Sequence, residues 1–175
     1  GSQYKPFVYR CINRLDRDTT GLTIVAKHAL AGGILGNAVA KRAIHRTYYA
    51  VCSGCTPAYM RISAPIARKD ASTIERCVDF KRGENAVTDF IRIKYNPDNN
   101  LSLVKLRLLT GRTHQIRVHM KYIGFPLIGD FLYNPDYTYI SRQALHSGRL
   151  VFTHPVTGQK MNLISDIPSD MKSLF

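Results

Sequence analysis

The sequence predicts an α+β fold: a mixed, largely antiparallel central sheet with flanking helices. Strand-like segments recur in adjacent pairs, and helix-like segments come singly between them, which is the pattern of an α+β domain rather than of a doubly wound parallel sheet. No segment of about 20–50 residues repeats, which excludes a solenoid. The chain has 175 residues, 45% of them hydrophobic, enough for one domain with a core and unlike a disordered chain. No Gly/Ser linker divides it, so residues 3–175 read as one domain behind a Gly1-Ser2 cloning scar.

The elements follow in order. Residues 22–27 (LTIVAK) read as a short, mostly buried strand after a glycine turn. Residues 29–44 (ALAGGILGNAVAKRAI) read as a helix despite Gly32, Gly33 and Gly36. Residues 46–53 (RTYYAVCS) are β-branched and aromatic, hence a strand, ended by Gly54 and Pro57. Residues 86–95 alternate apolar and polar side chains with one slip, which predicts a half-exposed strand with a bulge. The turn cluster 96–100 and residues 101–109 (LSLVKLRLL) complete a hairpin. A helix is expected over 113–123, with Thr113 as N-cap and Gly124 after its C-terminus. Residues 149–152 and 160–164 read as strands around a turn at 155–158.

Charge narrows the function. Lys and Arg total 25 against 12 Asp and Glu, a formal net charge of +13. Such a balance suits a polyanion, because each neutralised phosphate releases counterions. Trp is absent, but 10 Tyr and 7 Phe are available to stack on bases. No apolar run approaches the roughly 20 residues of a membrane span. Cys52-Ser-Gly-Cys55 has C-x-x-C spacing but no second pair follows, so Cys11, Cys52, Cys55 and Cys77 are expected to be buried free thiols in a reducing cytoplasm.

Residues 12–22 (INRLDRDTTGL) hold the chemistry. Asp16, Asp18 and Thr20 fit a D-x-D-x-T phosphatase, whose first aspartate ends a buried parallel strand and helps hold a metal ion. Arg14 and Arg17 argue against it, because guanidiniums beside a metal-binding carboxylate pair compete with the cation. The other reading is an RNA-modifying enzyme with one nucleophilic aspartate. Flanking arginines favour the ionised form of Asp16, and Arg14 and Arg17 can also hold phosphates beside a target nucleotide. Arg112, at the turn before the expected helix, is placed for phosphate together with the helix N-terminus. His114 and Gln115 follow it as further RNA contacts. A basic RNA-binding module without turnover is the plainer alternative.

At this point the chain resembles the RluA-type pseudouridine synthases. INRLDRDTTGL matches their signature His/Asn-Arg-Leu-Asp-x-x-Thr-Ser/Thr-Gly-Leu, with Asn13 in the variable first place. Arg46-Thr-Tyr-Tyr-Ala-Val51 resembles the family's Lys/Arg-x-Tyr-x-Ala strand, and Thr110-Gly-Arg-Thr-His-Gln-Ile-Arg-Val-His119 its Gly-Arg-Thr/Ser-His-Gln block. Residues 124–130 and 145–155 resemble two more family segments, so the likeness runs from residue 8 to about 167. It implies isomerisation of uridine to pseudouridine in rRNA or tRNA, with no cofactor and no metal. Asp16 is then the nucleophile or oxocarbenium stabiliser. Arg117 is its basic partner, and Tyr48 the active-site tyrosine that stacks on uracil or moves a proton. Arg14 is expected to fill the gap left by a flipped base or to grip phosphate. The family has a preceding strand with Lys-Pro-x-Gly, and often an S4-type module before it; Lys5-Pro6-Phe7 lacks that glycine and the chain begins too late, so it reads as an N-terminally truncated catalytic domain.

Overall fold

The computed structural model describes residues 9–175, and Lys5-Pro6-Phe7 lies outside that range. The chain opens with three two-residue strands, β1 (Arg10–Cys11), β2 (Thr20–Gly21) and β3 (Val25–Ala26), followed by helix α1 (Ala29–Ala40). Next come β4 (His45–Ser53), β5 (Tyr59–Ser63), a small hairpin of β6 (Ile66–Arg68) and β7 (Arg76–Val78), and a long hairpin of β8 (Val87–Asn96) and β9 (Leu101–Leu108). Helix α2 (Gln115–Tyr122), strands β10 (Leu145–Thr153) and β11 (Lys160–Ile164), and helix α3 (Ser169–Lys172) complete it.

The main sheet runs β11-β10-β4-β9-β8-β5 with every neighbouring pair antiparallel, and β2 adds to β10 in parallel as the seventh strand. It is therefore mixed and largely antiparallel, as the segment order predicts. Alternation on β4 separates two cores. Tyr48, Ala50 and Cys52 face α2, packing with Leu106, Ile116 and Met120. Tyr49 and Val51 face the opposite side, where Met171 and Leu174 of the C-terminal segment cover the sheet. Helix α1 buries Ala31 and Leu35 against Leu150 and Phe152 of β10.

Several expectations are corrected. Residues 22–27 form no single strand: β3 has two residues, because Leu22 and Ile24 spend their backbone N–H groups on the Ser147 carbonyl and the Asn13 side chain. Helix α1 stops at Ala40 rather than 44, since Arg42 turns into the left-handed region at φ 56°. Helix α2 starts at Gln115; its N-cap residue is His114 at φ 56°, so Thr113 does not cap it. The bulge on β8 falls between Arg92 and Lys94. Of the cysteines only Cys52 is buried; Cys11 and Cys55 are exposed and Cys77 is intermediate, because Cys52 alone sits on an inward position of a central strand. Among the described residues no helix is long and apolar enough to cross a membrane.

The phosphatase reading loses its frame here. Asp16 follows β1, a two-residue strand paired antiparallel with β3, and lies in the loop before β2 rather than at the end of a buried parallel strand.

Candidate active site

The loop that carries Asp16 is fastened at many points. The Asn13 side-chain oxygen accepts from Ile24 N–H at 3.0 Å, and Thr23 Oγ1 donates to the Asn13 carbonyl at 2.6 Å. Thr19 N–H closes a turn on the Asp16 carbonyl at 3.0 Å. Gln143 Nε2 donates to Thr19 Oγ1 at 2.6 Å. Thr20 Oγ1 meets Nδ1 of buried His146 at 2.9 Å. The parallel approach of β2 to β10 requires Gly21: its φ is 102°, and a Cβ there would stand 2.2 Å from the Ser147 carbonyl oxygen. Asp18, at φ 66°, pairs on the surface with Arg17 at 3.4 Å and not with Arg14.

Beside this loop, α2 supplies Arg117, which is 1% exposed. Its Nη1 reaches Asp16 Oδ2 at 3.3 Å. Its two-pronged grip goes to Asp130 instead: Nε and Nη2 of Arg117 stand 2.7 Å from Asp130 Oδ2 and Oδ1. Asp130 is itself buried and held by the backbone N–H groups of Leu132 and Tyr133 at 3.0 and 3.2 Å. The guanidinium also lies over the Tyr133 ring, 4.9 Å from its centroid. Burial works against the Arg117 charge, but Asp130 and then Asp16 outweigh it, and its pKa is raised. Asp16 keeps 24% side-chain exposure, and its Oδ1 has no hydrogen-bond partner among the described residues.

Asp16 opens onto a cleft of about 1250 Å3. Among the described residues lining it, Asp16 is the one carboxylate against six arginines. Arg14, Arg17 and Arg112 were expected; Arg42, Arg46 and Arg107 are brought in by the fold. Tyr48 lines the same cleft but is only 5% exposed, so little ring face is open for a base to stack on. Its pKa is raised, first by burial, with Asp16 adding to the effect, so the hydroxyl stays protonated.

Residues 110–115 play a different part from the one expected. Gln115 is 2% exposed, and its amide is fully engaged: Oε1 accepts from Thr110 Oγ1 and Arg112 N–H, while Nε2 donates to the Val87 carbonyl and Thr88 Oγ1. It ties the turn to β8 and has no group left for RNA. His114 is half-buried and meets Tyr133 Oη at 2.9 Å through Nδ1; burial lowers its pKa. Arg112 lines the cleft but its guanidinium is paired with Glu84 and the Asn85 carbonyl. Arg14 is exposed and makes no hydrogen bond or ion pair among the described residues.

A family model described as RNA pseudouridylate synthase matches residues 1–122. The chain belongs to the RNA pseudouridylate synthase family. An uncharacterized RNA pseudouridine synthase of Bacillus subtilis, YjbO, is 47% identical over 166 residues, covering 94% of this chain and 57% of that protein. Ribosomal large subunit pseudouridine synthase D of Zymomonas mobilis is 37% identical over 174 residues, covering 94% and 54%. The chain thus spans just over half the length of these relatives. Among solved structures, human RNA pseudouridylate synthase domain containing 1 superposes with a TM-score of 0.80 at 26% identity, over 91% of this chain and 69% of that one. Human RNA pseudouridylate synthase domain containing 4 shares the fold at a TM-score of 0.76 and 20% identity.

Two residues of this cluster were not assigned from the sequence. Asp130 ends the segment Gly124–Asp130, yet a lone aspartate after Gly129 carries no sign of the arginine it faces across the fold. Arg46 was legible: it lies two residues before Tyr48 on β4, so alternation sends both side chains to one face.

Proposed function

We propose that this chain is the catalytic part of an RNA pseudouridine synthase and that Asp16 carries the reaction. The observation behind this is the state of one carboxylate. Asp16 is anchored through Oδ2 by a buried arginine, leaves Oδ1 unengaged, and faces an arginine-lined cleft. A binding module needs the arginines but has no use for an aspartate held among them.

In the reaction the N1–C1′ bond of uridine breaks and the uracil turns. C5 then bonds to C1′, the C5 hydrogen leaves as a proton, and N1 gains one. The product has the same atoms, so no redox partner is consumed. Asp16 Oδ1 is the oxygen free to attack or to stabilise the electron-poor sugar carbon. Arg117 holds the carboxylate rotamer. Tyr48, which lines the cleft and whose hydroxyl burial keeps protonated, is the residue we assign to proton transfer. Arg14, exposed and without a protein partner among the described residues, takes phosphate or the space of an extruded base; Arg17 and Arg112 add backbone contacts. The Zymomonas relative is named for the large ribosomal subunit, so its RNA is the first substrate class to try; transfer RNA is the second.

The test is nucleoside chromatography of RNA digested after incubation with the chain. Pseudouridine should appear at the expense of uridine. An unchanged uridine content with every ribosomal and transfer RNA tried, under conditions where RNA binds, would contradict the proposal.

A further inference from the structure

The β6–β7 hairpin encloses a second pocket, of about 480 Å3, lined by Arg68, Arg76, Arg82 and Arg112 with Glu84 as its one acidic residue among those described. Gly111, Arg112 and Thr113 line both this pocket and the cleft of Asp16, so the two lie beside one turn.

The hairpin is built against electrostatic preference. Arg68 and Arg76 are direct cross-strand partners, and like charges opposite each other destabilise a strand pair. Neither makes an ion pair among the described residues. Arg68 Nη1 donates to the Ala71 carbonyl, and Arg76 Nη1 to the carbonyls of Ile74 and Glu75. Of the nearby acids, Glu75 pairs with Lys69, Asp79 with Arg82 and Glu84 with Arg112, while Asp70 in the hairpin turn makes no ion pair with Arg68 or Arg76. The hairpin is also tied to the active site. Arg76 N–H donates to Tyr133 Oη at 2.9 Å, and the same hydroxyl meets His114 Nδ1 at 2.9 Å.

We propose that this pocket is a phosphate subsite for the RNA strand on one side of the target nucleotide, with Arg68 and Arg76 as its two phosphate-binding residues. It rests on the proposed function. Planar guanidiniums suit phosphodiester oxygens, and an anion between Arg68 and Arg76 would remove the repulsion that the hairpin carries alone. A phosphate contact carries no sequence information, so such a subsite sets the path of the strand rather than its sequence.

The experiment is binding of fluorescently labelled RNA to the full chain across a range of salt, for the parent, for Arg68→Ala with Arg76→Ala, and for Lys160→Ala on the edge strand β11. The double variant should bind about ten- to a hundredfold more weakly. Its salt slope should be shallower by about 1.4 to 1.8, the loss expected for two phosphate contacts. Lys160→Ala should behave as the parent. A double variant with the parent's affinity and slope would overturn the subsite. The readout is binding alone, so a chain that binds through the pocket but turns nothing over refutes the proposed activity and leaves the subsite standing. A parent that binds no RNA refutes both.

Discussion

Arg117 gives its two shortest hydrogen bonds to Asp130, at 2.7 Å each, and only a longer one, at 3.3 Å, to Asp16. The buried pair therefore acts as a fixed bracket from which one N–H reaches the exposed carboxylate. Removing Asp130 leaves the buried guanidinium with only its longer bond to Asp16. Asp130→Ala is expected to cost about 3–5 kcal/mol in urea unfolding. Asp130→Asn retains a hydrogen-bond acceptor and should fold, while lowering kcat roughly ten- to a hundredfold with little change in KM, because it loosens Asp16 rather than RNA. An Asp130→Asn variant with the parent's kcat would show that the bracket is structural only.

Tyr48 belongs both to the core and to the cleft lining. Tyr48→Phe keeps the packing against Leu106 and Ile116 and should unfold at the parent's urea midpoint. If the hydroxyl moves a proton, kcat falls by about 100-fold or more. Because burial raises the Tyr48 pKa, the parent's rate should show no limb from its ionisation between pH 7 and 9. Full activity of the phenylalanine variant would assign Tyr48 to packing.

Gly21 joins the Asp16 loop to β10. With φ at 102° and the Ser147 carbonyl oxygen 2.2 Å from where a Cβ would be, Gly21→Ala must push β2 off the sheet. A loss of about 1–3 kcal/mol is expected. Activity should fall further than stability alone explains, since the displaced segment carries Asp16. Gly33→Ala, inside helix α1 where a Cβ meets nothing within 4 Å, is the control: it should keep the parent's activity and raise stability by up to about 1 kcal/mol.

Acid should weaken the fold before it reaches the carboxylates. Burial lowers the pKa of His119, His114 and His146 below their ordinary value near 6.5. His119 shows why: Nε2 donates to the Ala64 carbonyl and Nδ1 accepts from Thr88 Oγ1, which suits the neutral ring. The unfolded chain binds more protons than the folded one between those lowered values and about 6.5. The stabilisation is complete above about 6.5 and is lost as pH falls through the folded values. The urea midpoint should therefore be lower at pH 5 than at pH 7.5. Equal midpoints would mean that these rings accept a proton without penalty.

Much of this was legible in the sequence because it is local. Alternation on β4 separates Tyr48 from Tyr49, and the strand over 86–95 does carry a bulge, although the apolar slip lies near Phe90 and Ile91 and the bulge falls between Arg92 and Lys94. The motif around Asp16 and the block around Arg117 name two site residues 101 positions apart. What was hidden is long-range. Nothing near Gln115 tells that β8 offers a carbonyl and a hydroxyl to its amide, which makes it a fastener and not an RNA contact. Asp130 acquires its role only when α2 brings Arg117 beside it. The left-handed turns at Arg42 and His114 override helical propensity at both helix ends concerned.

The central claim is that Asp16 carries the isomerisation. The direct measurement is tritium release from RNA labelled at uridine C5, for the parent chain and for Asp16→Ala. Asp16 is partly exposed and holds one long hydrogen bond from Arg117, so the variant should fold and bind RNA. The account predicts release by the parent and none above background from the variant. Equal release from both proteins would contradict it.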